Sequence, residues 1–231
     1  MKVLYRFLLL IAVMMAVSAC ELDNYSGPEA IFTGQIVDKK TKETIQTRQP
    51  NGIQIRLIQD GYDNPVPYDF WAKNDGTFRN TKLFAGTYEV TVKDGPFHGE
   101  VTKTITLKNG VETTETFEVE PYVRISDVNI SVSAGTITGT YKLSMGDGTT
   151  EILHSRLICH VSPILHKNTD NLKSSSRNNL TGKTAAEVAA MSFSDQITGL
   201  SPGSYYVRVA AESRNVLGRN NYSKIKKVEV K

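Results

Sequence analysis

The residues of this 231-residue chain that could do chemistry fall into a few short stretches, and most fail on spacing or context. Gly199-Leu200-Ser201-Pro202-Gly203 fits the G-x-S-x-G pattern of a serine nucleophile. Such a serine needs a strand-to-helix turn, whereas Ser204 to Ala211 alternates apolar and polar residues as a strand does. The oxyanion hole would also need the backbone N–H of the next residue, and Pro202 has none. His154 and His160 share a strand face, but six residues at about 3.3 Å each hold them roughly 20 Å apart. Both cannot ligate one zinc at about 2 Å. His98 and His166 lie in other segments without spaced Cys or carboxylate partners. Met145-Gly146-Asp147-Gly148-Thr149 is too short and too poor in carboxylates for a calcium loop and reads as a hairpin turn. Cys159 alternates with Leu157 and Val161, which puts its thiol on the buried face of a strand as a structural group. No glycine loop suited to phosphate occurs. These residues point to no catalytic, metal or cofactor site.

One stretch invites binding instead. Gly61-Tyr62-Asp63-Asn64-Pro65-Val66-Pro67-Tyr68-Asp69-Phe70-Trp71 gathers aromatics between two strands, with prolines to stiffen the loop. Aromatic faces stack on the apolar faces of sugars, while Asp and Asn can hydrogen-bond hydroxyls. Tyr62, Tyr68, Phe70 and Trp71 form the candidate ligand platform. A second reading stands beside it: Phe70 and Trp71 cap a sandwich or fill a domain interface, leaving Tyr62 and Tyr68 as the surface pair.

The elements that must position these residues are strands. Ile53, Ile55 and Leu57 alternate with Gln54 and Arg56; Tyr88, Val90 and Val92 with Glu89, Thr91 and Lys93; Ile105 and Leu107 with Thr104 and Thr106. One-sided strands of this kind belong to antiparallel sandwiches. Asn74-Asp75-Gly76 and Asn109-Gly110 supply the positive φ angles of tight hairpins. A second set of strands covers 123–132, 136–143, 152–161, 205–211 and 224–230. The joint at Glu120-Pro121-Tyr122 has no flexible spacer, so closely packed domains are expected. Residues 167–183 read as a long exposed loop, and Thr184-Ala185-Ala186-Glu187 as a capping box opening a short helix through Met191. The fold class is therefore all-β, with two tandem sandwiches at 30–120 and 121–231.

The N-terminus is a separate object. Lys2 and Arg6 precede an apolar run from Phe7 to Ala16, the layout of a signal peptide over residues 1–19. Val17-Ser18-Ala19-Cys20 resembles the lipobox of bacterial lipoproteins, which implies lipid attachment at Cys20 and an anchor in the membrane. Residues 20–29 form the tether, and its acidic start at Glu21-Leu22-Asp23 resembles the signal that sends Bacteroidota-type lipoproteins to the cell surface. With 27 Lys and Arg against 24 Asp and Glu, there is no electrostatic case for nucleic acid.

Two further resemblances concern the folds. Leu83-Phe84-Ala85-Gly86-Thr87-Tyr88 and Leu200-Ser201-Pro202-Gly203-Ser204-Tyr205 both resemble the tyrosine corner of immunoglobulin-like sandwiches. Thr33-Gly34-Gln35-Ile36-Val37-Asp38, Asp75-Gly76-Thr77-Phe78 and Ala85-Gly86-Thr87-Tyr88 resemble the carboxypeptidase regulatory-like, transthyretin-type domain, with Ile45 where a proline is usual. The second half resembles fibronectin type III through its tyrosine corner and Val207-Arg208-Val209-Ala210-Ala211.

Asp23-Asn24-Tyr25, Gln49-Pro50-Asn51-Gly52, Asp69-Phe70-Trp71 and Phe78 to Gly86 resemble a two-domain lipoprotein family of gut-type Bacteroidota whose own function is unknown. That resemblance implies a place beside Sus-type outer-membrane glycan transporters. The expectation is a non-catalytic surface lipoprotein that binds polysaccharide or scaffolds the uptake complex. The alternative is a structural or adhesive surface protein that binds host or partner proteins.

Overall fold

The computed structural model describes residues 27–231. The expected signal peptide, Cys20 and most of the tether lie outside the described residues. In the first half, β1 (Ala30–Asp38), β4 (Thr77–Leu83), β6 (Phe97–His98) and β8 (Glu112–Pro121) form one sheet, ordered β4-β1-β8-β6. The facing sheet is β3-β2-β5-β7, from β2 (Gln54–Gln59), β3 (Tyr68–Trp71), β5 (Gly86–Lys93) and β7 (Val101–Leu107). Between them lies a core that includes Phe32, Ile36, Ile55, Leu57, Phe78, Val90 and Phe117, all nearly inaccessible. The apolar residues of each strand recur every second position, so one face of each sheet meets that core and the other meets water.

The second half repeats the layered plan. One sheet is β14-β10-β9, from β9 (Val123–Ser133), β10 (Thr136–Met145) and β14 (Phe193–Ile197). The other is centred on β11 (Ile152–His160) and β15 (Gly203–Ser213). Short strands β12 (Lys173–Ser174) and β13 (Asn178–Asn179) pair with β11, while β16 (Asn220–Tyr222) and β17 (Lys226–Val230) pair with β15. A second core fills this sandwich, including Ile137, Leu143, Leu157, Cys159, Val207 and Val209. The fold is thus all-β, two sandwiches in tandem. The helix α1 (Ala185–Ala190) opens on the anticipated capping box, with Glu187 N donating to Thr184 Oγ1 at 3.3 Å and Thr184 N to Glu187 Oε2 at 2.7 Å.

Both tyrosine corners form. Tyr88 donates to the Phe84 carbonyl at 2.9 Å and Tyr205 to the Ser201 carbonyl at 3.1 Å, each four residues back. Three expectations need correction. Gly76, Gly110 and Gly148 do take positive φ, but their turns join β3 to β4, β7 to β8 and β10 to β11, which lie in opposite sheets. They are arches across the core rather than hairpins, because turn residues fix only the local path while burial chooses the pairing partner. The stretch 167–183 is not one exposed loop: β12 and β13 close the free edge of β11, and Leu180 is fully buried. Strand β14 carries no plain apolar alternation in the sequence, since the inward side of Phe193, Asp195 and Ile197 is interrupted by a carboxylate.

Only Tyr122 separates β8 from β9. Arg124 at the start of β9 reaches back to the first sandwich, donating to both oxygens of Asp38 at 2.5 and 2.8 Å and to Glu120 at 2.5 Å. Burial alone would raise the Asp38 carboxyl. Hydrogen bonds from Arg124 and the Lys40 N–H outweigh it and hold that group below the usual carboxylate range.

Candidate functional site: an aromatic-flanked sheet face

The outer face of β3-β2-β5-β7 collects the residues that point away from the core. Ladder pairing places Trp71 beside Gln54 and Asp69 beside Arg56; Arg56 and Ile58 then neighbour Thr91 and Glu89 on β5. Glu89 and Thr91 face Thr104 and Thr102 on β7. Threonine pairs brace the far side, Thr87 to Thr106 at 3.1 Å and Thr91 to Thr102 at 2.9 Å. Arg56 grips Asp69 through two bonds, Nε to Oδ1 at 2.8 Å and Nη2 to Oδ2 at 2.7 Å. The Arg56 hydrogen bonds hold the Asp69 carboxyl below its ordinary range, so the pair is ionised at neutral pH and its remaining donors and lone pairs face solvent.

Aromatic rings stand at the two ends of this face. Trp71 is 38% exposed, a large value for an indole on a strand. At the other end the loop after β2 folds over the sheet, where Ile58, Asp60, Tyr62, Pro65, Glu89 and Thr104 help line a recess of about 290 Å³. Tyr62 is 65% exposed there. The rows of Gln54 and Ile58 lie four residues apart, about 13 Å along the strand. The face is therefore an elongated polar floor between two exposed rings, rich in hydroxyls and charged groups.

The four aromatics of the sequence platform do not act together. Along β3 alternate residues point to opposite faces, so Tyr68 and Phe70 leave the face that holds Asp69 and Trp71. Phe70 packs on the core, its ring 6.0 Å from Phe78. Tyr68 stands at the rim between sheets, where its hydroxyl accepts from Asn80 Nδ2 at 3.2 Å. Tyr62 and Trp71 are the pair the structure leaves on one surface.

The remaining sequence candidates are placed in structure. Ser201 precedes strand β15, and its carbonyl serves the tyrosine corner. Cys159 is fully buried and desolvation pushes its thiol up to about 11. His98 lies 3.1 Å from Thr150 Oγ1 and packs edge-on against Tyr122 at the seam between sandwiches. His160 and His166 accept from backbone N–H groups two residues on, at 3.0 and 3.2 Å. Among the described residues no group of three His, Cys, Asp or Glu is gathered as metal ligands would be.

A larger cleft of about 670 Å³ lies between the sandwiches, lined by the turn after β1, the start of β9 and residues 221–226. Ile125, Val128 and Ile225 give it an apolar wall, and an ion pair between Glu43 and Lys224 spans the two sandwiches beside it. The sequence reading missed it because its walls come from segments far apart in the chain.

These observations lead to relatives. Residues 30–120 match the family model for the N-terminal domain of a protein of unknown function, DUF3823. The whole sheet face between Tyr62 and Trp71 lies within the residues that match this model. Solved structures extend the likeness over both sandwiches. A candidate carbohydrate-binding protein from Bacteroides uniformis superposes with a TM-score of 0.76 at 23% identity, covering 88% of this chain and 100% of that one. A DUF3823 family protein from Bacteroides uniformis gives 0.72 at 23% identity, again over 88% and 100% of the two chains. One from Parabacteroides merdae gives 0.70 at 22% identity over 89% and 100%. At these identities the likeness shows the fold alone. No curated protein matches the chain.

Proposed function

We propose that this chain is a non-catalytic, glycan-binding accessory lipoprotein of the outer-membrane surface, held by lipid on Cys20 and working beside a Sus-type polysaccharide transporter. The observation that carries the binding role is the pairing of Trp71 and Tyr62, both exposed, across one hydroxyl-rich sheet face. Rings offer apolar stacking for sugar faces, and Arg56, Asp69, Gln54 and the threonines offer hydrogen bonds to hydroxyls. An open face accepts the middle of a polymer, which a closed pocket would exclude. The description of the Bacteroides uniformis relative as a candidate carbohydrate-binding protein supports the same reading. Anchoring rests on the signal-peptide layout and Val17-Ser18-Ala19-Cys20.

Isothermal titration against neutral plant and host polysaccharides tests the site. Trp71→Ala and Tyr62→Ala should each weaken binding by roughly tenfold, the size expected of one lost aromatic contact. Tyr68→Ala, on the rim, should change it little. Unaltered affinity in both platform variants, with their fold intact, would refute the site. The adhesive alternative needs a free sheet edge. Here the edge strand β9 breaks register between Thr140 and Lys142 of its partner, Asp127 takes φ +54°, and Lys226 Nζ covers the Ile130 carbonyl at 2.8 Å. Such a bulged, capped edge argues against strand addition at β9.

A further inference from the structure

The second sandwich carries a charge arrangement that its own fold does not use. Elsewhere the arginines of the described residues have evident work. Arg56, Arg79, Arg124 and Arg214 bind carboxylates. Arg48, Arg208 and Arg219 donate to backbone carbonyls. Arg156 and Arg177 do neither. Arg156 projects from the outer face of β11 and has only a long bond to Ser174 Oγ, at 3.4 Å. Arg177 sits opposite, in the short gap between β12 and β13 where both cover the edge of β11.

The neighbourhood is cationic. Lys167 and His154 share a single carboxylate, Glu212, at 3.2 and 3.7 Å. Desolvation lowers the pKa of His154, Glu212 opposes that, and Arg177, Arg156 and Lys167 lower it further, so the imidazole is neutral at physiological pH. Burial and then Arg177 depress Arg156 in the same way. Two guanidinium groups held near each other on a sheet, with one carboxylate already engaged by a lysine, leave an unmet demand for negative charge. A planar fork of N–H donors matches a carboxylate or sulfate through paired bonds better than an ammonium does.

We infer that Arg156 and Arg177, with Lys167 beside them, bind the anionic substituent of an acidic polysaccharide, a carboxylate or sulfate ester carried on the sugar. This deepens the glycan-binding reading and rests on it for the nature of the carrier. The site belongs to the second sandwich and is separate from the Trp71–Tyr62 face in the first.

The test compares dextran, dextran sulfate and polygalacturonate as probes for the full mature protein. Dextran sulfate or polygalacturonate should bind more tightly than dextran, and the difference should shrink as sodium chloride is raised. Arg177→Gln, at an exposed position, should weaken acidic-polymer binding at least severalfold, and Arg156→Gln should do the same with an unchanged circular dichroism spectrum. Lys108→Gln, a charge removed from the first sandwich, should have little effect. The inference is overturned if acidic polymers bind no better than dextran, or if Arg177→Gln and Lys108→Gln act alike. Failure here with neutral-glycan binding still sensitive to Trp71→Ala would leave the platform standing. Acidic binding that needs Arg177, with neutral-glycan binding unaffected by Trp71→Ala and Tyr62→Ala, would do the reverse.

Discussion

Asp195 is 5% exposed and forms no ion pair among the described residues, yet its two oxygens are nearly saturated. Tyr141 donates to Oδ2 at 2.9 Å, the Leu157 N–H at 2.9 Å and Ser175 Oγ at 3.1 Å, while Asn178 Nδ2 donates to Oδ1 at 2.8 Å. One carboxylate thus ties β10, β11, β14 and the segment leading to β13. A buried acceptor of this kind stabilises only while its donors stay matched. Asp195→Ala would strand several buried donors at once and should lower the unfolding free energy by roughly 3 kcal/mol or more in urea denaturation. The same logic explains why Tyr88 and Tyr205, both conspicuous in sequence, are framework residues: their hydroxyls are spent on the chain four residues back.

At the scale of elements, β1 does the most unusual work, pairing antiparallel with β4 and parallel with β8. Gly34 lies at its centre. A Cβ there would come within 2.1 Å of the Glu115 carbonyl oxygen and 2.6 Å of the Phe78 ring. The glycine allows the ring of Phe78 to cross the strand and reach Phe32, 4.9 Å away between centroids. Gly34→Ala should therefore cost about 3 kcal/mol in the same measurement, at the upper end of overpacking penalties. Strand β3 shows the complementary lesson. Its alternation splits four consecutive residues between core, rim and platform, so an aromatic run in sequence becomes a single exposed indole on the binding face.

Across the whole molecule, three arginines of the second sandwich reach the first. Arg124 binds Asp38; Arg208 donates to the Thr47 carbonyl at 3.0 Å; Arg219 donates to Asp94 and Asn51 carbonyls at 2.8 Å each. Arg208 is almost wholly buried, desolvation lowers it to about 10, and the Tyr222 ring 3.8 Å away helps it remain charged at neutral pH. Arg124→Ala would leave the buried Asp38 without its cation and Glu120 with Lys39 alone, and should cost roughly 3 kcal/mol. Calorimetry should show one transition for the natural protein and two for this variant. Acid should act through the same pair. The folded carboxyl of Asp38 titrates below its unfolded value, so its contribution is complete above about pH 4 and is lost as pH falls through the folded pKa. Unfolding free energy measured between about pH 6 and pH 2 should fall more steeply in the natural protein than in Asp38→Asn.

Much of this was written in local order. Period-two alternation, glycine turns, two tyrosine corners and the Thr184 capping box each depend on neighbours within a few residues, so the sequence by itself determined an all-β chain of two sandwiches and the outward facing of Arg56, Thr102, Thr104 and Thr106. It could not choose strand partners, because the same turn chemistry serves a hairpin and an arch. Only the tertiary structure decided that Tyr62 and Trp71 share a surface while Phe70 does not, that Asp195 is matched by four donors from three other segments, and that Arg156 lies opposite Arg177. Those are relations between different elements, and they exist only once burial has selected which faces close on one another.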